Sequence, residues 1–366
     1  MSQKVKDPSA YDYTPMMPPA LLESYRKAMK GDAASMYQMA EAFRQGTEVP
    51  RNSKVAIDWL RLAAEKHHPE AMYNYSYACK GNVIARVEWM RSAAEAGHHV
   101  AMYDLALMYA EGTLIAQDWS LCEQWMTRSA KKGNRKAKDY LGWMYHNGRA
   151  GTVDLVQAMR WYEDAAMHGS TRSALALGEI HTFEREHFDP EKAFFWYRFA
   201  AYSGDAEAQT NLGYCYQSGI GTEKDAKEAF KWTQEGARRG DRRAMFVLGN
   251  YHRWGYGTRT DDRKAFEWMS RSAEKGYARA LDTLGVYHSN GIGTPRDIVR
   301  GFECYRGPPR RETPTAAPTR DGSSTRDSPP DAASGRRWPT AGRRWRSATA
   351  RPRSTQWPSC TTSDRA

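Results

Sequence analysis

The sequence predicts an all-α protein, a right-handed α/α solenoid of tandem helix-turn-helix repeats with a disordered C-terminal tail. Three columns of residues carry this prediction: a Trp that recurs at intervals of 30, 36, 36, 35, 36 and 36 residues, an Asn or Asp seven residues before it, and a Gly eight residues after it. A fixed period of this length is typical of solenoid repeats. The Trp column consists of Trp59, Trp89, Trp125, Trp161, Trp196, Trp232 and Trp268, with Cys304 in the same position of an eighth copy.

The second helix of each unit is predicted to be bounded at both ends. Asn and Asp are preferred N-caps, because the side-chain oxygen accepts from the free N–H groups of the first turn. Gly adopts the left-handed conformation just past a helix end without a steric penalty, and only His67 breaks that column. The caps are Asn52, Asn82, Asp118, Asp154, Asp189, Asp225, Asp261 and Asp297, and the glycines are Gly97, Gly133, Gly169, Gly204, Gly240 and Gly276.

The first helix of each unit carries apolar and small residues on one face, as in residues 280–288, ALDTLGVYH. They fall at i, i+1, i+4, i+5 and i+8, which is one side of a helix. A Gly inside a helix costs roughly 1 kcal/mol against Ala, so we expect the recurring Leu-Gly pair to allow a close approach of the neighbouring helix. The pairs are Leu141-Gly142, Leu177-Gly178, Leu212-Gly213, Leu248-Gly249 and Leu284-Gly285.

Taken in order, the chain has four parts. Residues 1–19 contain four prolines and are expected to be irregular. Residues 20–34 predict a capping helix, because a terminal repeat exposes an apolar face unless something covers it. Residues 35–306 hold seven full repeats and one partial repeat, and residues 307–366 form the tail. The copy from Ala71 to Val100 is 30 residues long and is expected to lack most of its inter-helix turn.

The repeated motif runs Ala-x-x-x-Leu-Gly-x-x-Tyr, Gly-x-Gly-Thr, Asp, Lys-Ala-Phe-x-Trp and Ala-x-x-Gly. It resembles the Sel-one-like repeat (SLR) family, relatives of the tetratricopeptide repeats, over about Ser35 to Arg306. This resemblance implies an α/α solenoid that acts as an adaptor, usually without catalytic residues. It also implies a narrower alternative, because bacterial members of the family include inhibitor or immunity-type partners of toxins.

The tail differs from the repeats in composition. Its 12 arginines minus 5 acids give +7, so residues 1–306 carry only +4 of the chain's +11. It contains no Leu, Ile, Val, Met or Phe, a composition that cannot bury a core. One interpretation is an Arg-rich nucleic-acid arm.

The genetic code favours another interpretation of the tail, out-of-frame translation of at least two further repeats. The last base of each codon can be joined to the first two bases of the next. With a TCN codon for Ser359, residues 356–361 then read Met or Val, Ala, usually two apolar residues, and Tyr or His. That order matches residues 105–109, LALMY.

Several other classes of protein are disfavoured by the sequence. No stretch of about 18 apolar residues predicts a membrane span, and no signal peptide is visible. The expected location is cytoplasmic, or periplasmic if the true N-terminus lies upstream. Five cysteines without a Cys-x-x-Cys pair make neither a disulfide framework nor a zinc site. The paired histidines His67-His68 and His98-His99 permit a metal site, but polar turns explain them better. The Gly-x-Gly-Thr segments lack the Lys of a phosphate-binding loop.

Large aromatic residues away from the Leu-Gly face are the predicted partner-binding site, because exposed Tyr and Trp are favoured interface anchors. The alternative is that some of them pack between units. We expect a protein or peptide partner, no cofactor, metal, nucleic acid or membrane, and a monomer. A non-catalytic scaffold is the favoured function, with an immunity-type partner as its narrower form and an enzyme with a groove-located site as the other class. The candidates are Tyr37, Tyr73, Tyr77, Tyr103, Trp143, Tyr214, Phe246 and Trp254.

Overall fold

The computed structural model describes residues 17–79, 81–149 and 151–306. The chain divides into two units, Met1–Thr319 and Arg320–Ala366, and every described residue belongs to the first. The described part contains 17 α-helices and no strand, so the predicted helical solenoid is confirmed there. The predicted tail, 307–366, and residues 1–16 of the predicted irregular segment lie outside the described residues.

The helices alternate as first and second members of eight pairs, after an initial α1 (Pro19–Met29). The first helices are α2 (Ala33–Gln45), α4 (Pro69–Ala78), α6 (His99–Glu111), α8 (Arg135–His146), α10 (Thr171–Phe183), α12 (Ala206–Ser218), α14 (Arg242–Trp254) and α16 (Ala278–Asn290). The second helices are α3 (Ser53–Glu65), α5 (Val83–Glu95), α7 (Trp119–Lys131), α9 (Leu155–Met167), α11 (Pro190–Tyr202), α13 (Ala226–Arg238), α15 (Asp262–Glu274) and α17 (Ile298–Arg306). Each helix packs mainly on the helices before and after it in the chain.

The predicted N-caps of the second helices are confirmed. Asp225, for example, accepts the amide N–H groups of Lys227 at 2.8 Å and Glu228 at 3.0 Å. The backbone N–H of Asp225 also donates to the carbonyl of Tyr216 near the end of α12, at 2.9 Å. One residue therefore starts the second helix and closes the turn that leads into it.

The predicted left-handed residues at the ends of the second helices are also confirmed. The six glycines of this column have φ between +75° and +97°. His67 adopts φ +60° in the same place although it is not Gly, so the turn geometry is kept where the sequence pattern breaks. Gly31, just after α1, has φ +97° and follows the buried Ala28, which places α1 like a second helix ahead of the first pair.

Seven of the eight first helices have side-chain caps that the sequence pattern did not reveal; α16, with Tyr277 in that position, has none. At each of the seven positions a side chain accepts an amide N–H from the first turn. Because three of the seven residues are His or Ser instead of Asp or Asn, the column is hard to see by eye. It consists of Asp32, His68, His98, Asn134, Ser170, Asp205 and Asp241.

The Leu-Gly pairs mark close helix contacts, as predicted. A Cβ built on Gly178 would lie 2.5 Å from the Cε1 atom of Tyr197, and one on Gly142 would lie 2.5 Å from the same atom of Tyr162. Both tyrosines are on the second helix of the same unit and are at most 5% exposed. The tyrosine ring thus fills the space that a side chain on the glycine would occupy.

From Trp89 onward, the column Trp is less deeply buried than the residue that follows it. Trp59 and Trp232 are 1% and 8% exposed, whereas Trp268 is half-buried. Met90, Met126 and Met269, each directly after a column Trp, are fully buried. In α5 to α15 the core therefore lies one residue further along the second helix than the most visible sequence signal, whereas in α3 it includes Trp59 itself.

The short unit α4–α5 differs from its prediction in one respect. The six missing residues were expected to come mostly from the inter-helix turn. Instead α4 has 10 residues where α2 has 13, and the connection is residues 79–82 where α2 and α3 are joined by 46–52. The loss is shared equally, because the Asn82 cap still needs a turn long enough to reach the start of α5.

Candidate protein-interaction site

The predicted aromatic residues lie on one side of the first helices, which we call the first-helix face. They are not equally exposed. Tyr103 is only 6% exposed, and Phe246 packs against Tyr277 with ring centroids 5.3 Å apart. These two side chains serve the packing between units, while Tyr77, Tyr214 and Trp254 are 43%, 43% and 70% exposed.

The N-terminal end of this face is an organised cluster on α4 and α6. The hydroxyl groups of Tyr73 and Tyr77 both donate to the Oδ2 atom of Asp104, at 2.9 Å and 2.7 Å. The two rings meet edge to face with centroids 5.4 Å apart. Burial, followed by the Asp104 charge, raises the pKa of Tyr77 to about 12, so the phenol remains a hydrogen-bond donor at neutral pH.

Two stacked His–Tyr pairs hold this cluster in place. The ring of Tyr37 stacks on His68 at 4.9 Å, and the ring of Tyr73 stacks on His98 at 4.6 Å. The Nδ1 atom of His98 accepts the Ala101 amide N–H at 3.0 Å, which puts the ring proton on Nε2. That proton is donated to Glu70 at 2.7 Å. Each histidine is therefore both a helix cap and a platform for a tyrosine ring.

The metal-site alternative for the paired histidines finds no geometric support in the part of the chain that the structure describes. The Nδ1 atoms of His68 and His98 accept backbone N–H groups, and a metal would have to displace those bonds. No group of three or more His, Cys, Asp or Glu side chains is arranged to hold a metal among the described residues.

The C-terminal end of the face presents single aromatic rings. The Trp254 ring is covered on one side by the Arg253 guanidinium, whose central carbon is 5.1 Å from the ring centroid. Arg253 also bonds to Asp262 at 2.8 Å, which fixes the cation in place. Trp143, on α8, is half-buried beside Tyr140 with centroids 5.3 Å apart. The predicted set is thus one cluster and several separate anchors.

The middle of the face carries polar groups that the sequence did not single out. Ser173 on α10 donates a hydrogen bond to Asp139 on α8, and burial raises the pKa of that carboxyl. Burial, followed by the nearby Glu207 carboxylate, raises the pKa of Glu179 to about 7. A pKa shifted by burial and a charge partner marks a candidate functional residue, and only the folded neighbourhood creates it.

The charge of the first helices changes sign along the array. α2, α4 and α6 carry four acids and one base, a net of −3, whereas α14 carries three bases and no acid, a net of +3. The charge is not a gradient, because α8 carries +2, α12 carries −1, and α16, the last described first helix, is neutral. Opposite charges on α2–α6 and on α14 would orient an extended ligand. The acids are Glu41, Glu70, Asp104 and Glu111 against Arg44, and the bases of α14 are Arg242, Arg243 and Arg253.

A cavity of about 360 Å³ adjoins the acidic end, between α1, α2 and residues 46–48. Its walls include Leu21, Tyr37 and Glu41. Arg44 and Gln45 both donate to the Glu41 carboxylate, so this acid is held by the protein itself. The cavity therefore continues the part of the first-helix face that holds Tyr37, and the Glu41 carboxylate in its wall already has partners.

The fold and this face together define an α/α solenoid, a class of repeat protein that holds its ligands on extended helix surfaces. The chain belongs to the Sel1 repeat family, whose members are generally non-catalytic protein-interaction scaffolds. The family model matches eight segments, of which the shortest falls in the short unit. They are residues 33–68, 87–98, 99–134, 136–170, 172–205, 206–241, 242–277 and 278–306.

Solved structures show the same fold. The protective antigen c5321 of uropathogenic Escherichia coli, which displays an SLR fold, is 29% identical, with a TM-score of 0.71 over 78% of this chain and 63% of that chain. The chain thus spans less than two thirds of that antigen. A Sel1 repeat protein from Oxalobacter formigenes is 25% identical, with a TM-score of 0.60 over 73% of this chain and 78% of that one.

Two further comparisons are negative or slight. Immunity protein Pa5087 from Pseudomonas aeruginosa is 20% identical, with a TM-score of 0.33 over 57% of this chain and 85% of that one, too slight a likeness to bear on function. No curated protein matches the chain. Over residues 17–306, apart from the two undescribed positions, no helix combines the length and apolarity needed to cross a bilayer.

Proposed function

We propose that this protein is a non-catalytic scaffold that holds an extended segment of a partner protein along the first-helix face, as in a concave solenoid groove. The proposal rests chiefly on the cluster of Tyr73, Tyr77 and Asp104. Its two rings and its carboxylate are fixed by hydrogen bonds before any ligand arrives. Preorganised side chains lose little entropy on binding, which favours affinity.

The chemistry of the cluster selects the ligand. A carboxylate bordered by tyrosine rings accepts a guanidinium or ammonium group through an ion pair and a cation–π contact. Arg86 of the chain itself already lies over one face of the Tyr77 ring at 5.1 Å, so a ligand cation would pair with the Asp104 carboxylate and not with that face. We infer that the partner segment presents a basic side chain to Asp104 and an acidic stretch to α14. An aromatic anchor such as Trp254 then adds apolar contact area between them.

The proposal is tested by capturing partners with the full chain and with three variants. Partners identified by cross-linking and mass spectrometry should be lost with Tyr77→Ala and reduced with Trp254→Ala. Ile84→Ala is the matched control, because Ile84 is 72% exposed and lies on a second helix, α5, and not on a first helix. Peptides from the captured partner should then bind more weakly as salt is raised. Retention of the same partners by both aromatic variants would refute the proposal.

The other two functions are judged by the same experiment. An immunity-type role is a narrower form of the same binding and predicts that the captured partner is a toxin. An enzyme predicts a pocket in which polar groups converge on one point. The polar groups of the face, Asp139 and Glu179 among them, lie on successive helices, so a scaffold is the better-supported proposal.

A further inference from the structure

The last described helix, α17, exposes side chains whose equivalents in α11, α13 and α15 are buried or half-buried. Phe302 is 68% exposed and Tyr305 is 51% exposed. Tyr162 and Tyr197 occupy the place of Tyr305 in earlier units and are 5% and 2% exposed. Tyr305 still packs against Gly285 of its own unit, so its exposure comes from the opposite side.

The interior units show what normally covers this face. Phe194, Phe230 and Phe266 stand where Phe302 stands, and each meets an aromatic ring on the first helix of the next unit. The ring centroids are 5.4 Å apart for Phe194 and Tyr216, 5.4 Å for Phe230 and His252, and 5.2 Å for Phe266 and His288. The covering element is thus always the first helix of the following repeat.

The inter-helix turn of the following repeat completes the cover. A Cβ built on Gly257, in the turn before α15, would lie 2.8 Å from the Cβ of Phe230, and one on Gly293 would lie 3.0 Å from that of Phe266. These turn glycines come this close because they have no side chain. Phe302 has no such partner among the described residues.

We propose that the uncovered face of α17 is the docking site for a ninth repeat. The codons of residues 307–366, read one base out of the present frame, encode that repeat. Shifted codons just after Arg306 permit Ala-Ala, two residues, Gly, Asn or Asp, and Ala. That is the order of residues 200–206, AAYSGDA, where α11 ends and α12 begins. The occupant is therefore a first helix and glycine turn of the same kind as those inside the array.

The test compares the full chain with a full-length form that has one base inserted after the codon for Arg306. Phe302→Ala is made in both, and Phe230→Ala is the matched control. In the restored frame, the amides of α17 should exchange at least tenfold more slowly than in the present frame, and Phe302→Ala should reverse most of that protection. In the present frame, Phe302→Ala should change exchange less than twofold, whereas Phe230→Ala should lower the urea midpoint in both.

Three results would overturn the proposal. Phe302→Ala without effect in the restored frame would show that the new residues do not dock there. A large effect of Phe302→Ala in the present frame would show that the face is already covered, either by residues 307–366 or by a second copy of the chain. Only cover by a second copy would make the exchange rates depend on protein concentration. If the restored protein is insoluble, residues 235–276 appended after Arg306 supply a repeat in the same register. Failure of that repeat to protect α17 would also refute docking.

Discussion

The glycine of the inter-helix turn offers a sharp test of how the repeats are joined. Gly257 has φ +66°, and a Cβ built on it would overlap the carbonyl oxygen of Ala226, the first residue of α13, and lie 2.7 Å from the carbonyl carbon. Gly276 has φ +75°, but a Cβ there would meet nothing closer than the Arg242 guanidinium at 4.0 Å. The two glycines share their backbone conformation and differ in the space around them.

The expected loss of stability follows from this difference. A left-handed conformation costs a non-Gly residue about 1–2 kcal/mol, and Ala in place of Gly recovers about 0.4–1 kcal/mol by restricting the unfolded chain. Gly276→Ala should therefore cost about 1 kcal/mol or less. Gly257→Ala adds overpacking against the backbone, about 1–3 kcal/mol, for a total of about 2–4 kcal/mol.

Urea unfolding followed by circular dichroism measures the two variants side by side. Because long repeat arrays depart from two-state behaviour, amide exchange of α13 and α15 should be measured as well. The loss of protection should centre on those two helices in Gly257→Ala. Equal midpoints for the two variants would refute the idea that the turn rests on the preceding second helix.

Four further perturbations follow from the described contacts. Trp232→Ala should cost about 3–5 kcal/mol as a large-to-small core change, and a loss below about 1 kcal/mol in urea would contradict its burial of 92%. Asp225→Ala should cost about 1 kcal/mol by removing a helix cap, seen as faster amide exchange at the start of α13. The folded pKa of Glu179 is raised to about 7 from 4.5, so the native chain holds more protons and loses stability as pH rises from 4.5 to 7. Glu179→Gln should remove that loss and gain up to about 3 kcal/mol at pH 8, whereas parallel pH curves would refute the shift. Burial lowers the folded pKa of His252 below 6.5, so stability should fall as pH drops below 6.5, and His252→Tyr should flatten that fall in melts at pH 5 and 7.

Much of the fold could be predicted because single residues report local backbone geometry. Asp225 needs only the three residues after it to act as a cap, and Gly240 needs only its own φ of +97°. Gly178 reports a contact within one unit, with Tyr197. Each signal is short-range and repeated, so one sequence without relatives was enough.

The candidate site was less predictable because it depends on contacts between units. Asp104 accepts hydrogen bonds from two tyrosine hydroxyls on the preceding first helix. No residue spacing within one repeat predicts these bonds. His98 is hard to recognise as a cap because few caps are histidines. Tyr103 and Tyr77 have the same side chain and nearly the same helical register, yet one is 6% and the other 43% exposed. Tyr214, at the same position of the full-length α12 as Tyr77 has in α4, is also 43% exposed, so the exposure is set by the neighbours of each ring, which only the folded array supplies.

The contacts between each second helix and the next first helix, edge-to-face in three of the units, also set how the chain would respond to force. Because every unit is tied to its immediate neighbours, tension should remove repeats from an end, one at a time. Each released repeat of about 36 residues would add roughly 120 Å of extended chain. The C-terminal end, where Phe302 has lost its neighbour, should yield at the lowest force. An optical-trap trace would then show an evenly spaced series of steps that begins with one weak event.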